Sequence, residues 1–185
     1  DAHELCADPR ARAVGAGAVV MFSLFEEQLQ LEQLALDHYL TYGTESHAEA
    51  ISYFPQPGEF KTTSEGYLEL IRKAKESVEI PIFASLNGTT PEKWVSFARQ
   101  IEEAGADGLE LNLYSIPTDA EMTGAEIEQH DVEVVNAVRR SISIPVAVKL
   151  SPYFSNMANM AKRFDEAGAS SLVLFNRFYQ PDIDV

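Results

Sequence analysis

Short apolar runs alternate along this chain with longer stretches in which apolar residues return every three or four positions. Five runs of the first kind, near residues 18–22, 81–86, 108–113, 145–150 and 171–175, have the length and continuity of strands covered on both faces. The stretches between them place Tyr67, Leu68, Ile71, Ala74 and Val78 on one helical face, and Trp94, Phe97, Ala98, Ile101 and Ala104 on another. Ile127, Val134, Val135 and Val138 form a third such stripe, and Met157, Met160, Ala161 and Phe164 a fourth. Thr90-Pro91 marks one helix start, since a hydroxyl can cap and proline suits the first helical position.

Self-similarity sharpens this pattern. Gly15-Ala-Gly-Ala-Val-Val-Met-Phe-Ser23, Glu103-Ala-Gly-Ala-Asp-Gly-Leu-Glu-Leu-Asn112 and Glu166-Ala-Gly-Ala-Ser-Ser-Leu-Val-Leu-Phe-Asn176 each read as a helix end running into a strand. Glycine there permits the left-handed closing conformation. Glu79-Ile-Pro-Ile-Phe-Ala-Ser-Leu86 and Ser143-Ile-Pro-Val-Ala-Val-Lys-Leu150 form a second pair, with proline opening the strand, where a missing donor costs little.

Strict alternation of strand and helix means parallel strands and right-handed crossovers, hence an α/β fold. No Gly-x-Gly-x-x-Gly turn of a dinucleotide fold occurs, so a parallel (β/α)8 TIM barrel fits better than a doubly wound sheet. Such a barrel typically needs about 250 residues. The 185 residues here, with five units, predict one incomplete barrel domain over 1–185 that lacks the first strand and the last two. Residues 24–63 interrupt the rhythm: Leu29, Leu31, Leu34, Leu36 and Leu40 suggest a helix, and the rest a long loop over the face where such barrels keep their active sites.

Composition narrows the function. With 45% hydrophobic residues the chain can build a core, and one cysteine excludes a disulfide scaffold. The balance of 14 Lys and Arg against 29 Asp and Glu, −15 in all, argues against nucleic acid and anionic lipid as partners. No run approaches the roughly 20 apolar residues of a membrane span. A lone Cys6 and an N-terminus without a signal-like apolar stretch lead to the expectation of a cytoplasmic protein acting on a small molecule, with homo-oligomerisation left open. His3, His38, His47 and His130 show no metal-ligand spacing, so no metal site is expected.

In a parallel barrel all strands open their C-terminal ends on one face, and polar residues there carry the chemistry. This sequence places Ser23, Ser85, Asn87, Asn112, Ser115, Lys149, Asn176 and Arg177 at those ends. Lys149 stands out because Ala147, Val148 and Leu150 surround it, and a lysine is seldom buried without a reason. It can reach solvent or pair with Glu110, hold an anionic ligand, or act as a desolvated amine nucleophile. Asn112 offers donor and acceptor together, which suits either a heterocycle edge or a loop cap. Ser115, taken by itself, reads as an ordinary loop hydroxyl.

Four segments bring a resemblance: Pro81-Ile-Phe-Ala-Ser-Leu-Asn-Gly88, Leu109-Glu-Leu-Asn-Leu113, Pro145-Val-Ala-Val-Lys-Leu-Ser-Pro-Tyr153 and Leu172-Val-Leu-Phe-Asn176. In order and spacing they resemble the dihydroorotate dehydrogenase family of FMN-binding barrels, and Gly15 to Ser23 is similar to that family's second strand. The resemblance implies an FMN-dependent oxidoreductase that oxidises a CH–CH bond by hydride transfer to flavin, in pyrimidine biosynthesis if the substrate is retained. It implies that Lys149, Asn112, Asn176, Ser23 and Asn87 hold the cofactor, and that Ser115 stands where the catalytic Cys or Ser stands in the family. The chain departs from the family in Asn112-Leu-Tyr-Ser-Ile-Pro-Thr118, where the second asparagine is missing, and in Met21-Phe22-Ser23, where many members have Thr-Lys-Ser. These departures point to a substrate other than dihydroorotate. The phosphate loops of such barrels follow strands seven and eight; without them the chain alone is expected to be inactive. The residues also admit a Schiff-base lyase or aldolase using Lys149, and a non-catalytic barrel.

Overall fold

A computed structural model describes residues 15–25, 63–87, 91–114 and 117–176. Within them, β1 (Val19–Phe25), α1 (Thr63–Ser77), β2 (Ile82–Asn87), α2 (Pro91–Glu103), β3 (Gly108–Leu113), α3 (Gly124–Ser141), β4 (Val146–Leu150), α4 (Met157–Glu166) and β5 (Ser171–Leu174) follow in order. All five expected strands and the four amphipathic helices are present. The helix and loop expected over 24–63, apart from the ends of that span, lie outside the described residues.

The strands form one sheet in the order β1-β2-β3-β4-β5, every neighbouring pair parallel. Because spatial order equals chain order, each right-handed crossover returns its helix to the same side of the sheet. A doubly wound sheet would need a reversal of direction, and none occurs among the described residues. The arrangement is that of a partial TIM barrel, with the helices forming the outer layer.

Register shows what separates the two faces. Leu24, Leu86, Leu111, Val148 and Leu172 lie in one row, and Ala84, Leu109 and Val146 in another; Leu113 and Leu150 pair alongside. These side chains point at the helices and, Leu172 apart, are buried. They meet Ile71 and Ala74 of α1, Trp94, Ala98 and Ile101 of α2, Val134, Val135 and Val138 of α3, and Met160 and Phe164 of α4. The alternate positions, taken up below, are mostly polar or small.

The internal repeat has a structural meaning beyond helix closure. Gly105 and Gly168 adopt φ of 95° and 98°, the left-handed conformation that lets each helix end. The N–H of the next residue closes the turn, Ala106 onto the Ile101 carbonyl and Ala169 onto that of Phe164. Two residues past each glycine, a side chain then clasps the preceding strand. Asp107 Oδ2 accepts from the Ile82 N–H at 2.7 Å and Ser170 Oγ from the Val146 N–H at 3.2 Å. Ile82 and Val146 are the first residues after the prolines of the second repeated motif, so the two motifs latch onto each other. Lys75 adds an ion pair to Asp107 at 2.6 Å, and its hydrogen bond, with that from Ile82, holds this carboxyl below its ordinary range against the opposing effect of burial.

β1 extends three residues past the expected 18–22, because Ser23, Leu24 and Phe25 pair with Ser85, Leu86 and Asn87 beyond a register shift. Such a shift leaves backbone groups without ladder partners. Tyr67 of α1 fills the gap: its hydroxyl accepts from the Ser85 N–H at 2.9 Å and reaches the carbonyls of Phe22 at 3.0 Å and Ser85 at 3.2 Å. Burial pushes that hydroxyl up to about 12, the Ser85 hydrogen bond opposing and the nearby Glu110 charge adding to the effect. Tyr67→Phe strands buried backbone groups and is expected to cost about 1–3 kcal/mol in urea unfolding.

At the α3–α4 contact, Glu128 accepts from the Ser155 N–H at 2.8 Å and lies 3.7 Å from Arg163, which hold its carboxyl below the usual range. One turn along α3, Asp131 is pushed up to about 7, by burial first and by the Glu128 charge second. A carboxyl raised in the folded state binds its proton more tightly there than in the unfolded chain. The protein therefore loses stability as pH rises from the unfolded value near 4 through 7. Asp131→Asn should raise the melting temperature at pH 8 by more than at pH 5; equal gains at both would refute the assignment.

Candidate functional site

The sheet face turned away from the helices is lined by the other half of the strand alternation. Ser23, Ser85, Glu110, Ala147 and Ser171 form one row across all five strands. One step toward the strand C-termini, Asn112, Lys149 and Val173 pair in a second row, and Asn87 pairs with Phe25. Ser85, Asn87, Glu110 and Asn112 are the buried polar residues among those described. All four lie on this face, so polarity is concentrated on one side of the sheet.

Two connected groups form there. In the lower row, the Ser23 and Ser85 hydroxyls are 2.8 Å apart, Ser85 Oγ donates to Glu110 Oε1 at 2.9 Å, and Lys149 Nζ lies 3.5 Å from the same oxygen. In the upper row, Asn176 Nδ2 donates to Asn112 Oδ1 at 2.8 Å, beside Lys149. The chain path makes this possible, since the Asn176 N–H bonds the Leu150 carbonyl at 2.8 Å and so carries β5's end over β4.

The structure thus brings Lys149, Asn112 and Asn176 to one mouth and sets Ser23 and Asn87 on the same face. Ser115 and Arg177 lie outside the described residues. Lys149 combines two of its sequence-derived readings: it pairs with Glu110 and keeps 29% of its side chain exposed. Sequence reasoning named Glu110 only as a partner. The signal for its place was its two-residue spacing from Asn112, which puts both on one face. Tyr114, two residues further, has a buried hydroxyl with no hydrogen-bond partner among the described residues. No group of three or more His, Cys, Asp or Glu able to hold a metal occurs among them. Nor is any helix there long and apolar enough to cross a membrane.

Chemically, this mouth offers an ammonium and two linked amides beside an apolar strand body. Such a set can bind the polar edge of a flat, partly anionic molecule.

Comparison with known proteins identifies the family. Residues 54–180 match the family model described as Dihydroorotate dehydrogenase. The catalytic subunit of dihydroorotate dehydrogenase B (NAD(+)) from Pyrococcus abyssi is 34% identical over 179 residues, 95% of this chain and 55% of the relative. Its counterpart from Methanothermobacter thermautotrophicus is 37% identical over 101 residues, 53% of this chain and 33% of the relative. The chain therefore spans between a third and just over half of these relatives. Among solved structures, phosphonopyruvate hydrolase with oxalate and Mg++ superposes with a TM-score of 0.57 at 17% identity, covering 97% of this chain and 58% of that one. A dihydrodipicolinate synthase from Agrobacterium tumefaciens gives 0.56 at 18%, covering 92% and 46%. At such identities these two show the fold alone.

Below the Ser85 row, Phe83 pairs with Gly108, and its ring occupies the space a Cβ at Gly108 would need. Glycine is required here for room. Gly108→Ala must displace the ring under the polar rows, and the expected cost is about 1–3 kcal/mol, read as a lower urea midpoint.

Proposed function

The chain belongs to the dihydroorotate dehydrogenase family, and we propose that it supplies the middle of an FMN-dependent oxidoreductase barrel that oxidises a CH–CH unit of a small ring acid. The observation that carries this is the convergence of Lys149, Asn112 and Asn176 at the C-terminal mouth of a parallel sheet. The residues suit the ring end of FMN: an isoalloxazine presents carbonyl and imide groups along one edge, matched by amides and a cation. Tyr114, two positions after Asn112 in the chain, has a buried hydroxyl with no hydrogen-bond partner among the described residues.

Bound FMN would supply the hydride acceptor. In the proposal the Lys149 ammonium stabilises negative charge on the ligand's polar edge, while Asn112 and Asn176 orient that edge with Asn87 and Ser23 on the same face. Ser115 Oγ takes the proton from the substrate carbon next to the one that loses hydride. A free hydroxyl is a weak base at neutral pH, so a further acceptor must relay that proton. The relatives' names specify dihydroorotate dehydrogenation; the Ser115-Ile-Pro-Thr118 sequence favours a different small ring acid for this protein. The proposal places the protein in the cytoplasm as a single barrel domain.

A Schiff-base reading of Lys149 gains nothing from the dihydrodipicolinate synthase likeness, and an ammonium drawn to a carboxylate serves better as a cation than as a nucleophile.

Full-length protein should purify yellow with a flavin absorbance band. Lys149→Met should slow substrate-driven flavin reduction about 10²–10³-fold. Ser115→Ala should retain flavin while its reduction slows. Colourless protein that traps substrate on Lys149 with borohydride would replace this reading with the lyase.

A further inference from the structure

The charged residue that the sheet's polar face buries most deeply is not Lys149 but Glu110, 6% exposed in the middle strand. A buried carboxylate without partners costs several kcal/mol. Its partners are therefore informative. Glu110 Oε1 receives the Ser85 hydroxyl at 2.9 Å, and Lys149 is the cation that reaches it among the described residues, at 3.5 Å.

The hydrogen-bond sequence has a fixed direction. Ser85 has one hydroxyl proton and directs it to the carboxylate, so at 2.8 Å the Ser23 hydroxyl must be the donor to Ser85. Behind them Tyr67 fixes the Ser85 backbone at the register shift. Glu110 is thus held from the β1 side, while on the β4 side it meets a flexible four-carbon stem. An ammonium has three protons, and among the described residues Glu110 takes one of them, at 3.5 Å.

We infer that Glu110 is a positioning residue for Lys149: fixed by Ser85 and Ser23, it pins the ammonium to the polar face and partly offsets its charge, so that the mouth presents a tethered ion pair to its ligand. The inference rests on the proposed flavin site for its functional consequence but not for the tether itself. With Glu110 neutral, Lys149 loses its anchor and carries its full charge toward the ligand. An anionic reduced flavin is then stabilised further.

Two readouts test it in full-length protein. The first is trace labelling of amines with acetic anhydride, scored at the Lys149 peptide by mass spectrometry. Glu110→Gln should raise Lys149 labelling about fivefold, as expected for loss of an ion pair of ordinary strength, with surface Lys162 as the internal reference. Ser85→Ala keeps the carboxylate but frees it, and should raise labelling by a smaller factor; it also serves if Glu110→Gln does not fold. The second readout is the flavin midpoint potential, which should become more positive in Glu110→Gln. Unchanged Lys149 labelling in both variants overturns the inference. Raised labelling with an unchanged potential supports the tether and counts against the flavin reading of the mouth.

Discussion

One constraint organises this protein: in a parallel sheet wound in a single direction, every helix returns to the same side. That side must then be apolar along its whole width, and it is, from Leu24 through Leu86 and Leu111 to Val148. The opposite side is released from that demand. Because side chains alternate, each strand can bury leucine or valine outward and still place serine, glutamate, asparagine or lysine inward. The candidate site is the remainder of the sheet after the helix-facing half has satisfied the core.

The ends of the strands divide the labour. At the N-terminal ends, the interlocking motifs around Pro81, Asp107, Pro145 and Ser170 use side chains to complete backbone hydrogen bonds, which fixes register between neighbours. A one-residue slip would send Glu110 and Lys149 into the helix layer and Leu111 and Val148 onto the polar face. At the C-terminal ends the inward side chains meet one another instead, Lys149 at Glu110 and Asn176 at Asn112.

Tyr67 joins the two halves of this description. It belongs to the apolar stripe of α1, yet its hydroxyl completes the irregular pairing of β1 with β2 and fixes the segment that carries Ser85. Helix packing and the polar face are coupled through that one side chain, so a change in the outer layer can reach Glu110 and Lys149 without touching either.

The sequence alone determined the order of elements, their parallel arrangement and the polar strand ends, because these follow from local periodicity: apolar runs, stripes at helical spacing, and glycines where helices close. It also carried the family resemblance in motifs that span those same ends. Tertiary structure decided what no local pattern contains. The length of β1 depended on its partner across a register shift, and the task of Tyr67 on a gap in another element. Lys149 was conspicuous as a residue, but whether it would meet Glu110, Asn112 or neither depended on strand register, which aligns residues tens of positions apart in the chain. Hydrogen bonds such as Asn176 to Asn112 exist only because parallel pairing brings strand ends together, and pairing is a property of the sheet rather than of any segment within it.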